Sequence, residues 1–379
     1  MTGKSQSLNK VFIGLEQGLN VANQKRLISC EKRDVILTKK RVEKIIYRVV
    51  NAMKKESSTF SKLYWKIFGV GSIYEEIKIG KADEFDIDLL LRLPPNLELS
   101  LEEKTVPGFT KFQIKNFECL SSLDSHVYSD MKKFVDSKNY LLSEHLMRSF
   151  ILEIFTKALA HFPNNIITIG GEEHKISNIQ YIQPALTLTI ESQNFHVSVD
   201  LVASFILGKN YWPVTVQNNN PHAFPSDFFV VPARPVGETT HKERLWRLSF
   251  HVQERQILQN RHRMKAAIRV LKRIRDHFAH PVHSHAIKTL FLWELSKNNP
   301  TLETTALWKS PLSSVVIWML EQYLKCLSDG KILDFWNPKH NLLSYLSTEE
   351  IERCRDDIAL MIDDVKERPR AEVLLSYLK

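Results

Sequence analysis

The sequence has few cysteines, and they are not arranged to bind zinc or to form a disulfide framework. The four cysteines, Cys30, Cys119, Cys326 and Cys354, lie far apart and include no CxxC pair. Disulfide-rich secreted domains and zinc sites both need cysteines at short, regular spacing. This pattern indicates a reduced intracellular protein.

Long apolar runs are also absent. No stretch approaches the ~20 consecutive apolar residues of a transmembrane helix, and the polar first ten residues lack the apolar core of a secretory signal. No internal repeat or low-complexity segment occurs. We expect a cytoplasmic protein without a transmembrane segment, with the nucleus as the alternative compartment.

Positive charge is in excess. The 379 residues contain 52 lysines and arginines against 43 acidic residues, a formal net charge of +9. Such a balance favours polyanionic partners, namely nucleic acid, nucleotides or anionic membrane surfaces, without choosing between them. The length suffices for one two-lobed enzyme or two ordinary domains.

Hydrophobic periodicity predicts a mixed α/β lobe followed by a helical lobe. Residues 1–38 form a polar, basic N-terminal segment, and a long amphipathic helix starts at Thr38. Strand-like and helical patterns alternate up to about residue 235, and helical patterns follow. The strands are expected at 84–93, 111–114, 179–182, 186–191 and 195–205, and the helices near 142–161 and over 241–278, 284–297, 312–328 and 348–378. The predicted division is 1–38, 39–235 and 236–379.

An acidic alternation within the first of these strands is the most informative local pattern. Residues two apart in a strand face the same side, so Glu84, Asp86 and Asp88 would form one acidic stripe. Carboxylates held together repel one another unless a cation lies between them, and their hard oxygens suit Mg²⁺. Either Glu84 with Asp86 or Asp86 with Asp88 has a suitable spacing for the metal pair.

A Gly71-Ser72 turn lies shortly before this strand. A glycine turn lets backbone N–H groups approach a triphosphate, and a serine hydroxyl adds a donor. Asp200, which interrupts the apolar alternation of a later strand, is the candidate for the third carboxylate of a two-metal site. Without the turn, a solvated acidic face would be the simpler interpretation of the stripe; with it, phosphoryl transfer is favoured.

The wider pattern resembles the metazoan cyclic GMP-AMP synthase family and its invertebrate receptors. The resemblance rests on GSIYEEIKI at 71–79, EFDID at 84–88 and WRLSF at 246–250, which occur in family order. Further segments also match: Tyr211–Pro213, Ser284–Thr289 and Phe335–Leu342. The similarity covers roughly residues 40–345.

The resemblance implies an α+β, two-lobed nucleotidyltransferase fold. A mixed β-sheet core would carry the metals, with a long N-terminal spine helix and a C-terminal helical lobe that closes the nucleotide cleft. It assigns Glu84, Asp86 and Asp200 as the catalytic, metal-binding carboxylates for two Mg²⁺ or Mn²⁺ ions, with Asp88 behind them. The ATP contacts it implies are Ser72, Glu84, Asp86, His251, Glu254, Lys272, Ser284 and His285, and the GTP contacts are Asp200, Arg247, Ser249 and Glu254.

Three departures from the vertebrate pattern bear on specificity. His285 replaces a tyrosine that stacks on a base, and His251 replaces a serine. Residues 255–264 contain no cysteine where vertebrate DNA sensors carry a zinc-binding insertion, and His262 alone cannot form a tetrahedral site. We therefore expect no zinc, and double-stranded RNA rather than DNA as the activator.

Basic residues along two helices provide the candidate surface for nucleic acid. The candidates are Lys40, Arg41, Lys44, Arg48, Lys54 and Lys55 on the spine helix, with Arg261 and Arg263 in the helical lobe. Such rows can follow a phosphate backbone without reading bases. Phosphoinositide binding by the same lysines is an alternative. A dimer or larger assembly on nucleic acid is a further possibility.

The predicted function is nucleic-acid-activated synthesis of cyclic GMP-AMP from ATP and GTP, by two-metal phosphoryl transfer, in innate antiviral signalling. The alternatives are linear oligonucleotide synthesis, as in oligoadenylate synthases, and a non-catalytic family member that binds nucleic acid. Four nearby histidines (His277, His280, His283 and His285) are interpreted as a polar interhelical turn rather than a metal site.

Overall fold

A computed structural model describes residues 2–102, 106–213, 216, 226–233, 235, 241–297 and 306–379, with the side chains of 2–12, 32 and 306 excepted. One large mixed sheet carries helices on both sides. Its strands are β1 Tyr64–Val70, β2 Glu84–Leu91, β3 Leu99–Glu102, β4 Phe109–Ile114, β5 Ile166–Ile169, β6 Glu172–Ile182, β7 Ala185–Ser192, β8 Phe195–Leu207, β9 Phe228–Pro232 and β10 Leu245–Ser249.

The helices fall into two groups along the chain, those that precede or alternate with the strands and those that follow β10. Those before and within the sheet lobe are α1 Thr2–Gln24, α2 Lys32–Glu56, α3 Ser58–Leu63, α4 Gly71–Tyr74, α5 Leu120–Leu123, α6 Ser125–Met131, α7 Ser143–His145 and α8 Leu152–Leu159. A π-helical segment, Leu146–Ile151, joins α7 to α8. The later helices are α9 His251–Leu258, α10 His262–His277, α11 Ser284–Lys297, α12 Ala306–Lys309, α13 Leu312–Ser328, α14 Thr348–Glu367 and α15 Ala371–Ser376.

The sheet runs in the order β3-β4-β10-β9-β8-β7-β6-β5, and β2 joins it beside β8. The β2–β8 pair is parallel, whereas the other strand pairs described are antiparallel. The predicted two-lobed nucleotidyltransferase fold is confirmed, with its mixed sheet and its C-terminal helical region. Within the described residues, every helix is too short or too polar to cross a bilayer.

The spine helix α2 packs one apolar face against the sheet lobe. Val42, Ile45, Ile46, Val49 and Met53 are almost completely buried, at the three- and four-residue spacing that keeps side chains on one face. The helix begins at Lys32 rather than at Thr38. Its first turns have exposed apolar side chains, so the periodicity that marks the buried face starts later than the helix does.

The segment WRLSF lies on a strand, which corrects the prediction of one continuous helix over 241–278. β10 pairs with both β4 and β9, and the Trp246 indole donates to the Leu141 carbonyl at 3.0 Å. These long-range contacts override the local helical pattern. The helical run therefore divides into β10, α9 and α10.

The N-terminal segment forms a long helix, α1, of 23 residues. Leu15, Leu19 and Ala22 of α1 are buried, and Glu16 accepts a hydrogen bond from the Ser313 backbone N–H at 2.8 Å. A Cβ atom added to Gly14 would lie 2.0 Å from the Pro369 carbonyl oxygen. The two ends of the chain are thus in backbone contact.

Replacing Gly14 with alanine tests this contact, because the substitution should lower the free energy of unfolding if the contact exists and raise it otherwise. Alanine favours an isolated helix by about 1 kcal/mol relative to glycine, but here it would force α1 away from Pro369. We expect the free energy of unfolding, measured by urea denaturation, to fall by about 1–3 kcal/mol, as overpacking does. Gln17→Ala, at an exposed position of α1, is the control; a more stable Gly14→Ala would contradict the packing.

Candidate active site

Two predicted carboxylates lie side by side on the parallel strands. Asp86 of β2 is in register with Asp200 of β8, so the two side chains project from the same face of the sheet. Glu84 lies two residues before Asp86 on that strand, and both side chains are solvent-accessible. The structure thus brings Asp200 beside Asp86 and Glu84, which precede it by more than a hundred residues in sequence.

Gly71 forms the wall against which the Asp86 carboxylate rests. It has a φ of +74°, and a Cβ atom at this position would lie 2.1 Å from Asp86 Oδ2. Only glycine combines this backbone conformation with so close an approach. The turn that carries Ser72 is therefore placed directly beside the acidic strand.

Desolvation and the repulsion of neighbouring carboxylates together mark Asp86 as a candidate site for a cation. Desolvation by the surrounding protein atoms, together with the negative charges of Asp200 and Glu84, raises the pKa of Asp86 to about 6. Its side chain is nevertheless accessible to solvent. The donor set of carboxylate oxygens fits Mg²⁺ or Mn²⁺ in this position.

Each of the outer carboxylates has a protein partner that orients it. Thr187 Oγ1 donates to Asp200 Oδ1 at 2.6 Å, and Lys78 Nζ donates to Glu84 Oε2 at 2.6 Å. Neither Thr187 nor Lys78 was predicted from sequence. The alternation of β7 places Thr187 on the same face as its neighbour Asp200, which is a signal that only the strand register reveals.

Asp88 differs from the other acids because it is buried, with 3% of its surface exposed. Burial raises its pKa to about 7 against the opposing effect of the Arg247 charge. This environment favours the Glu84–Asp86 register over the Asp86–Asp88 register. Asp88 lies beneath the ligand candidates instead of among them.

The predicted phosphate contacts surround a loop that the helical lobe holds from several sides. Lys272 Nζ donates to the Ile77 carbonyl at 2.9 Å, and Lys265 Nζ donates to Glu76 Oε2 at 2.6 Å. Burial and the charges of Arg275 and Lys78 lower the pKa of Lys272 to about 8. Ser72 is half-buried on α4, near the start of this loop.

The predicted base contacts come from the helical lobe and from β10. Ser284 begins α11, and its hydroxyl accepts a hydrogen bond from Arg275 Nη1 at 2.6 Å. His285 is 44% exposed, with Nε2 3.5 Å from Asp334 Oδ2. On β10 the Arg247 side chain is exposed, whereas Ser249 is buried.

Glu254 lies beneath the cleft with both carboxylate oxygens already bonded. Oε1 accepts from the Trp336 indole at 2.9 Å, and Oε2 accepts from Lys288 Nζ at 2.6 Å. It lies on α9, separate from the strand that carries Arg247 and Ser249. A nucleotide would contact Glu254 only by displacing one of these partners.

A second cluster of potential metal ligands surrounds Lys288. Ligand atoms of Glu75, His251 and Glu254 lie within 4.8 Å of one another. The Lys288 ammonium donates to both carboxylates, so a cation of the protein itself already lies between them. Burial lowers the pKa of His251 to about 3, which leaves its imidazole neutral.

The four nearby histidines have separate partners. His280 is buried 3.3 Å from Asp357, and His283 packs on Tyr345 with ring centroids 4.6 Å apart. His277 contacts the rings of Phe278 and Tyr377, and His285 faces Asp334. The arrangement agrees with an interhelical turn.

The predicted nucleic-acid residues differ in availability. Lys40, Lys44, Arg48 and Lys55 are exposed on α2, and Lys44 and Arg48 line a groove of about 380 Å³ against the β5–β6 turn. The remaining candidates have protein partners: Arg41 pairs with Glu172, Lys54 lies over the Tyr64 ring, Arg261 donates to the Ile257 carbonyl and Arg263 to the Trp308 carbonyl.

Comparison with known families gives the class of the protein. The Mab-21 protein nucleotidyltransferase domain matches residues 73–260, and the Mab-21 protein HhH/H2TH-like domain matches residues 263–360. The fold is that of a nucleotidyltransferase of this class.

Individual relatives narrow the family. A cyclic GMP-AMP synthase-like receptor of Tribolium castaneum is 31% identical over 366 residues, covering 94% of this chain and 90% of the relative. One of Aethina tumida is 29% identical, with 89% and 85% covered. Cyclic GMP-AMP synthase-like receptor 2 of Drosophila melanogaster is 24% identical, with 89% and 76% covered. The chain belongs to the cyclic GMP-AMP synthase-like receptor family, and the family predicted from sequence is confirmed.

Proposed function

We propose that this chain joins ATP and GTP into cyclic GMP-AMP when it binds double-stranded RNA, as a second-messenger synthase in innate antiviral signalling. The observation that carries the proposal is the parallel register of Asp86 with Asp200 beside the Gly71-Ser72 turn. An acid pair against a phosphate-binding turn is what nucleotidyl transfer requires, because catalysis there is mostly positioning and charge neutralisation. The relatives' names support the product.

Glu84, Asp86 and Asp200 are proposed to hold two Mg²⁺ or Mn²⁺ ions, which when bound neutralise phosphate charge and activate the attacking hydroxyl. Thr187 holds Asp200 Oδ1, which leaves Oδ2 as the atom that accepts the proton of that hydroxyl. Ser72 and the backbone N–H groups of its turn hold the donor phosphates. Lys272 reaches those phosphates after it releases the Ile77 carbonyl.

The two nucleotide pockets are proposed to lie on opposite walls of the cleft. Ser284 and His285 contact the donor base from the N-terminal turn of α11, and Arg247 with Ser249 contacts the acceptor guanine from β10. Glu254 supports these walls from below, since its side chain is buried, whereas His251, with 23% of its side chain exposed, stays a candidate ATP contact.

The product assay tests the proposal directly. Purified chain incubated with ATP, GTP, Mg²⁺ and double-stranded RNA is expected to release a phosphatase-resistant product with the mass of cyclic GMP-AMP. A linear product made from ATP alone would indicate oligoadenylate-type synthesis. A tight RNA complex without nucleotide binding would indicate a non-catalytic member. Absence of product with RNA, with DNA and with Mn²⁺ would contradict the proposal.

The activator surface is tested by reversing charge on the spine helix. Lys44→Glu with Arg48→Glu is expected to weaken double-stranded RNA binding and to reduce its dependence on salt, because each phosphate contact releases counterions. Affinity measured at several salt concentrations gives both quantities. Lys325→Glu with Lys331→Glu, two exposed lysines at the end of α13 and just after it, is the control with the same change of charge, and an equal loss in both variants would show a net-charge effect only.

A further inference from the structure

Lys288 joins two carboxylates that come from different segments of the fold, Glu75 after α4 and Glu254 on α9. Its Nζ donates to Glu75 Oε1 at 2.9 Å and Oε2 at 3.1 Å, and to Glu254 Oε2 at 2.6 Å. All three residues are at least 95% buried. Glu75 and Lys288 are 213 residues apart in sequence, so the bond connects the sheet lobe to the helical lobe.

The charges in this network come from several segments of the chain. Two carboxylates share the Lys288 ammonium, the Arg255 guanidinium lies near Glu75, and the neighbouring His251, whose Nδ1 lies 3.9 Å from Glu254, is neutral. Burial lowers the pKa of Lys288, but Glu254 and Glu75 outweigh it and raise the pKa above its ordinary value. Removing charges from water is costly, and buried ion pairs often contribute little net stability. Stability alone therefore gives no strong reason for this arrangement.

The positions of Glu75 and Lys288 in the fold give a functional reason for the network. Glu75 immediately follows α4, and its N–H donates to the Gly71 carbonyl at 3.1 Å, so it moves with the turn that carries Ser72. Lys288 lies one helical turn after Ser284 on α11, and residues four apart in a helix share a face. The ion pair thus connects the turn assigned to the triphosphate with the turn assigned to the base.

We infer that Lys288 is a positioning residue that holds the Ser72 turn and the Ser284–His285 turn at the spacing of one ATP molecule. The inference rests on the proposed assignment of those turns to ATP. Glu254, fixed by the Trp336 indole, anchors the lysine so that it cannot follow Glu75 alone. Because the two turns are already held at this spacing, ATP binding does not carry the entropic cost of ordering them.

The test compares ATP with inorganic tripolyphosphate, which can occupy only the phosphate turn. Dissociation constants for both are measured by calorimetry with Mg²⁺, without GTP or RNA. The intact chain is expected to bind ATP at least about tenfold more tightly than tripolyphosphate. Lys288→Met is expected to remove this advantage and leave tripolyphosphate affinity within about twofold, and Lys288→Arg to restore part of it.

Lys265→Met is the matched control, because Lys265 also bonds the helical lobe to this loop, through Glu76, without contacting Glu254. It is expected to keep the ratio of the two affinities. Glu75→Gln provides a second variant if the methionine substitution prevents folding. An unchanged ratio in Lys288→Met and Glu75→Gln, or equal weakening of both ligands with a lower melting temperature, would overturn the inference. Failure of the intact chain to make the dinucleotide would instead contradict the proposed function.

Discussion

Asp86→Asn is expected to reduce the rate of nucleotidyl transfer by about 10²–10³-fold, the loss found when one group that stabilises transition-state charge is removed. Asparagine keeps the volume of the side chain and its place against Gly71. It removes one of the three negative charges that Asp86, Asp200 and Glu84 place close together. The initial rate of product formation with saturating ATP, GTP and RNA measures the effect.

Asp88→Asn is the matched control for this variant. Asp88 lies on the same strand two residues further on, but it is buried beneath the cleft. If Glu84 and Asp86 are the ligand pair, Asp88→Asn should reduce the rate far less than Asp86→Asn. Equal losses would instead support the Asp86–Asp88 register. Unchanged melting temperatures in both variants would exclude unfolding as the cause.

Most residues of the acidic site could be proposed from sequence because they lie close together along the chain. The stripe from Glu84 to Asp88 and the turn at Gly71 lie within eighteen residues, and strand periodicity places them on one face. Asp200 was selected because a charged residue interrupts an apolar strand. Its pairing with Asp86 depends on the parallel β2–β8 register, which periodicity within one strand cannot predict.

The features that the sequence did not reveal in full depend on contacts between distant segments. Leu245–Ser249 becomes a strand because β4 and β9 flank it on both sides. The α1 helix is stabilised by backbone contact with Pro369, at the other end of the chain. Likewise, the burial of Glu254 between Lys288 and Trp336 could not be read from the spacing of residues on α9.

Gly71→Ala is expected to be almost as damaging to catalysis as the loss of Asp86, although it removes no functional group. The new methyl group would lie 2.1 Å from Asp86 Oδ2, so the carboxylate or the turn must move. A displacement of about 1 Å at a reacting centre can cost about 10²-fold in rate. We expect a loss of this size in RNA-stimulated product formation, together with weaker Mg²⁺-dependent ATP binding.

Gly80→Ala separates this steric effect from backbone strain. Gly80 lies between α4 and β2 with a φ of +73°, close to the +74° of Gly71, but nothing lies within 4 Å of its added Cβ. Both substitutions carry the left-handed penalty of about 1–2 kcal/mol, so both should lower the melting temperature by similar amounts. Only Gly71→Ala should lose activity, because only there does the methyl group meet Asp86. If Gly80→Ala lost as much activity, loop strain rather than the contact with Asp86 would account for the effect.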